Sequence, residues 1–118
     1  MKASTRVLGF LFLLVIPLAA GAGDAPLLDA VRMGDVARVR ALARQRTVVN
    51  AADADGATPL LIASHLGQLE AATVLIAAGA DVNLANRYGI TPLYEASAAA
   101  NVALMKALLD AGARADVQ

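Results

Sequence analysis

The sequence predicts an all-α protein, a solenoid of stacked helix–turn–helix units, and three observations carry that prediction. Apolar residues make up 58% of the chain but aromatic residues only 3%. Most of the apolar share is Ala and Leu, whose compact side chains suit closely packed helices, whereas sheets draw on β-branched and aromatic residues. Apolar positions recur at helical spacing. The sequence also repeats itself with a step of 33 residues: Thr58-Pro59-Leu60 returns as Thr91-Pro92-Leu93, and Gly79-Ala80 returns as Gly112-Ala113.

One step earlier, Pro26-Leu27-Leu28 falls under Pro59-Leu60-Leu61, Ala30 under Ala63 and Gly34 under Gly67. Val36, Leu42 and Asn50 fall under Leu69, Leu75 and Asn83. Three copies of one period mark units that cannot bury their apolar faces alone and must stack. A length of 118 residues leaves room for one small domain.

Residues 1–22 read as a leader rather than as part of the fold. Lys2 and Arg6 supply a positive start, residues 7–18 carry no charge, and Ala20-Gly21-Ala22 gives the small–x–small pattern of a cleavage site. The mature chain then begins at Gly23. The competing reading is an uncleaved anchor, but the 17 uncharged residues from 7 to 23 fall short of the roughly 20 apolar residues a spanning helix needs. Removing the leader leaves 8 basic and 10 acidic side chains, a net of −2. That balance is a poor match for nucleic acid. The chain has no Cys, which excludes disulfides, thiolate chemistry and a lipid-modified Cys anchor. The expected setting is therefore secreted or periplasmic, with no membrane contact after cleavage. Ala and Arg usage hints at a GC-rich bacterial genome and so at the periplasm.

Each repeat, over about residues 25–52, 53–85 and 86–118, reads in the same order. Thr58 caps a helix whose first position is Pro59, where a missing N–H costs nothing. Leu60 and Ala63 share one face of that helix, and Gly67 ends it in the left-handed region. A second helix is expected over residues 69–78, with Leu69, Ala72, Leu75 and Ile76 on one stripe, and Gly79 closes it. The following polar stretch, to Tyr88 and Gly89, is turn-prone.

These residues resemble ankyrin repeats. The resemblance rests on Asp55-Gly56-Ala57-Thr58-Pro59-Leu60, Gly67 and Gly79-Ala80-Asp81-Val82-Asn83, and it covers about residues 25–118. It implies a short β-hairpin followed by two antiparallel helices in each unit. It also implies a protein partner held by hairpin tips and by the exposed ends of the first helices. By position these are Ala54, Asp55, Ala57, His65 and Leu66, then Arg87, Tyr88, Ile90, Ala98 and Ala99. The chain departs from the family where Leu61 and Tyr94 replace the usual His after Thr-Pro-Leu, and where Ala100 replaces the helix-ending Gly.

The two ends differ. Repeat one carries Arg38 where later repeats have Ala71 and Leu104, and Arg40, Arg44 and Arg46 follow. This reads as a solvated capping helix, with Asp29 and Asp35 close by to offset the charge; the competing reading is a dock for an anionic partner. The carboxyl end is as apolar as an internal repeat, with Leu104, Met105, Leu108 and Leu109. That predicts a partial array continuing past Gln118, or self-association through the uncapped repeat.

No catalytic constellation is legible. His65 is the single histidine, so paired-His metal sites and Ser–His–Asp triads lack members. Asp53-Ala54-Asp55-Gly56 resembles the start of a calcium loop without its later ligands, and a turn with Gly56 at positive φ explains it better. The sequence predicts a non-catalytic protein-interaction module with no metal or cofactor. The alternative is a small extracytoplasmic hydrolase or metal-dependent enzyme using His65 with Asp53 and Asp55.

Overall fold

In a computed structural model of the chain, residues 26–115 are described. The leader expected in residues 1–22 lies outside them. Six α-helices form among these residues, in three pairs. The pairs are α1 (Pro26–Arg32) with α2 (Val36–Leu42), α3 (Pro59–Leu66) with α4 (Leu69–Ala77), and α5 (Pro92–Ala98) with α6 (Val102–Asp110). A single 3₁₀ turn, Arg46–Val48, follows α2. The first helices pack in series, α1 on α3 on α5, and the second helices do likewise, α2 on α4 on α6. The stack that the 33-residue period predicts is therefore the one observed.

The helix starts follow from residue chemistry. Thr58 Oγ1 accepts from the Leu61 N–H at 3.1 Å and Thr91 Oγ1 from the Tyr94 N–H at 3.2 Å, each with Pro in the first helical turn. Asp35 and Asn101 cap α2 and α6 in the same way. The position between them, one period from each, is Gln68, which makes no side-chain cap bond. Its Oε1 is buried without a partner. Helix α4 ends at Ala77, one residue before the expected limit.

Of the stripe expected on α4, Ala72 and Leu75 enter the core, whereas Leu69 at the helix start is 39% exposed and Ile76 is half-buried. Leu60, Ala63, Ala72 and Leu75 are fully buried, as are Leu104 and Leu108. That last pair corrects the expectation of an open apolar stripe on repeat three, because both side chains turn inward, on the helix that packs against α4 and α5. What stays open at that end is Tyr94, Leu109 at 44% exposure and Val102.

A second correction concerns the hairpins. No strand forms among the described residues. Each turn has one main-chain bond across its neck, Asp53 N–H to Ala57 O and Asn86 N–H to Ile90 O, both at 3.0 Å. One tight-turn bond lies inside each, Gly56 N–H to Asp53 O at 2.9 Å and Gly89 N–H to Asn86 O at 3.0 Å, which is too little for a ladder.

Asparagines tie the repeats together. Asn50 Oδ1 accepts from the Asp81 N–H at 2.8 Å, and one period later Asn83 Oδ1 accepts from the Arg114 N–H at 2.9 Å.

Gly34 and Gly67 end α1 and α3 at φ +71°, and Ala100 must do the same after α5 at φ +55°. A side chain held there costs about 1–2 kcal/mol, partly offset in the unfolded chain by the greater freedom of Gly. Ala100→Gly is therefore expected to stabilise the protein by about 1 kcal/mol and to raise Tm by about 4–8 °C. A thermal melt showing no rise would mean the neighbouring residues already relieve the strain.

Candidate interaction surface

The turns before α3 and α5 are built alike from one polar side chain each. Asp53 Oδ1 accepts from the Asp55 and Ala57 N–H groups at 2.9 and 3.0 Å. One period on, Asn86 Oδ1 accepts from the Tyr88 and Ile90 N–H groups at 2.9 and 3.1 Å. These side-chain-to-main-chain bonds fold the chain back on itself and push the next two residues outward. Gly56 and Gly89 complete the turns at positive φ.

Ala54, Asp55, Arg87 and Tyr88 stand exposed at the two tips, with Ala57 and Ile90 half-buried behind them. Neighbouring tips are joined by the Arg87 N–H donating to the Asp55 carbonyl at 2.8 Å. The Arg87 guanidinium lies 3.5 Å from the Asp55 carboxylate and 5.4 Å above the Tyr88 ring centre. Tyr88 is 67% exposed, so its ring rests on Arg87 rather than being buried against Ile90. His65 and Leu66 close α3, Ala98 closes α5, and Ala99 caps it; all four are exposed.

Two pairings lie beyond what the sequence disclosed. His65 donates through Nδ1 to Glu95 Oε1 at 3.0 Å, linking the first helices of repeats two and three. Arg32 donates to Asp53 Oδ2 at 3.0 Å, tying α1 to the first tip. The repeat period offered a clue to the His65–Glu95 pair, whose separation of 30 residues is close to one period, but none to Arg32–Asp53, 21 residues apart. All three residues named in the enzymatic alternative thus have structural partners, Asp55 through Arg87. Asp53 is engaged through both oxygens, and the His65 ring pairs with Glu95 rather than with Asp53 or Asp55. Among the described residues, no group of three or more His, Cys, Asp or Glu side chains is placed to hold a metal ion. No helix among them is long and apolar enough to cross a membrane.

The family model for ankyrin repeats, in three copies, matches residues 8–86 and 27–118. The chain belongs to the ankyrin-repeat family. Ankyrin repeats generally mediate protein–protein interaction and are typically non-catalytic. No curated protein matches the chain.

Proposed function

We propose that this protein is a non-catalytic interaction module, working in the periplasm or extracellular space. It holds a protein partner on Ala54, Asp55, Arg87 and Tyr88 and on the exposed ends of α3 and α5. The observation that carries this reading is the Arg87–Tyr88 pair, exposed yet fixed by the Asn86 turn and by the bond to Asp55. A large amphipathic ring already held in place loses little freedom on binding, which is why Tyr and Arg dominate interface energetics. The hydrolase reading lacks support, since its three residues are engaged in holding the repeats together.

The export half of the proposal rests on the leader read in residues 1–22. A second copy of this chain is a further occupant, at a shallow groove of about 240 Å³ between Tyr94, Met105 and Leu109. One repeat earlier the equivalent face is covered by repeat three: Leu61 is 3% exposed there, against 61% for Tyr94.

A tagged full-length protein recovered from the envelope fraction tests the whole reading. Mass spectrometry of the bait should give an amino terminus at Gly23, and an untagged copy should co-purify. Tyr88→Ala should release the captured protein, with an affinity loss of roughly 30-fold or more, as expected of a hot-spot aromatic. An intact Met1 would contradict export, and undiminished capture by Tyr88→Ala would contradict the tip surface.

A further inference from the structure

We propose that a cleft between the second helices of repeats one and two is a separate binding site, which takes an acidic protein segment carrying an apolar side chain. The cleft has a volume of about 400 Å³ and is bordered by Arg40, Arg44 and Arg46 around a floor that includes Ala43, Val74 and Ala78. No hairpin-tip residue lines it, so it does not depend on the surface proposed above. Its volume lies at the lower end of the range for ligand pockets, about 300–1,000 Å³.

Charge is what singles this cleft out. Of the cations outside it, Arg32 pairs with Asp29 and Asp53, Arg87 with Asp55, and Lys106 with Asp110, while Arg38 stands exposed on α2 away from the cleft lining. Among the described residues, Arg44 and Arg46 form no ion pair, and Arg40 has only the exposed Glu70 at 3.6 Å. The two acids that the sequence offers as an offset are occupied, since Asp29 pairs with Arg32 and Asp35 caps α2. Three like charges around one small cleft repel each other, and a carboxylate placed among them relieves that repulsion while accepting bidentate hydrogen bonds.

Capping does not account for the three arginines. An end repeat needs polar residues on its outward face, whereas Arg40, Arg44 and Arg46 border the junction with repeat two. The stack itself does not require them either: one period later the same positions hold Thr73, Ala77 and Gly79. Gly79 also makes room, since a Cβ there would lie 3.3 Å from Arg46 Nη1.

The apolar floor selects among anions. A nucleic-acid backbone offers phosphates but no aliphatic group to fill it, and the near-neutral chain attracts that polyanion weakly. An acidic segment with one aliphatic side chain satisfies rim and floor together.

Fluorescence anisotropy with a labelled short Glu/Leu peptide and the purified full chain tests the proposal. A Gln/Leu peptide and phosphatidylglycerol vesicles serve as competing probes. The Glu/Leu peptide should bind, with affinity falling as salt rises and weakening roughly tenfold in R44E/R46E. If that variant melts early, R44Q/R46Q should show a smaller loss in the same direction. Tyr88→Ala should bind the peptide as the wild type does, so failure here is distinguishable from failure of the tip surface. Absence of binding, equal affinity for the Gln/Leu peptide, preference for vesicles, or indifference to both arginine variants would overturn the proposal.

Discussion

Leu75→Ala is expected to bring the whole chain close to unfolding. Leu75 is fully buried, and its helix α4 packs on α2, α3 and α6, so it supports both inter-repeat interfaces at once. Truncating a buried Leu costs about 2–5 kcal/mol, and a site walled by three helices has little freedom to collapse. A domain of this size has a total stability of only about 5–14 kcal/mol. Leu108 is buried to the same degree and sits at the matching position one period later. Among the described residues its helix α6 packs chiefly on α5 and α4, so, if no further repeat covers it, Leu108→Ala should cost less and should loosen repeat three before the rest. Urea melts of both variants check this. A Leu108→Ala loss equal to that of Leu75→Ala, in a single cooperative transition, would mean the stack does not behave as a sum of neighbour interfaces.

The second large effect belongs to the tips. Gly56→Val should cost more than Gly89→Val, although the two glycines occupy the same place in successive repeats. Both sit at positive φ, +83° and +79°, where a side chain costs about 1–3 kcal/mol. At Gly56 a Cβ would also stand 3.2 Å from the Arg87 backbone nitrogen, which donates to the Asp55 carbonyl at 2.8 Å. At Gly89 a Cβ would meet nothing within 4 Å. Pushing the second tip away forfeits that bond, worth about 0.5–1.5 kcal/mol, and moves Tyr88. Gly56→Val should therefore lose partner capture as well as stability, and Gly89→Val mainly stability. Equal losses in denaturant melts would show that contact between the tips is not what the glycine protects.

Much of this architecture was legible because it is periodic and local. Thr58-Pro59 and Thr91-Pro92 announce helix starts through chemistry within one turn, and the 33-residue step announces the stack. Ala100, read as a missing glycine, does adopt the left-handed conformation. What was not legible depends on how far one unit is displaced from the next. The pairs Arg32–Asp53 and His65–Glu95 span 21 and 30 residues, separations that only the stacked geometry brings into contact. Orientation was hidden for the same reason. Leu104 and Leu108 read as an open apolar end until α6 is placed against α4, and Arg40, Arg44 and Arg46 read as a cap until α2 is placed beside the same helix. The expected hairpins shrank to turns because Asp53 and Asn86 close them with side-chain bonds, leaving one main-chain pair across each neck. In the proposed interaction surface, all ten residues assigned by repeat position lie exposed or half-exposed. The coupling of Arg87 to Asp55 and Tyr88 emerged only from the fold.

Hydrogen exchange on the protein with and without its captured partner tests the central claim most directly. The interaction reading predicts slowed exchange on binding at the tip amides of residues 54–57 and 87–90 and at the carboxyl ends of α3 and α5. Exchange through the α4 core around Leu75 should change little. A partner that leaves both tips unprotected, or a bound small molecule consumed at His65, would contradict the account.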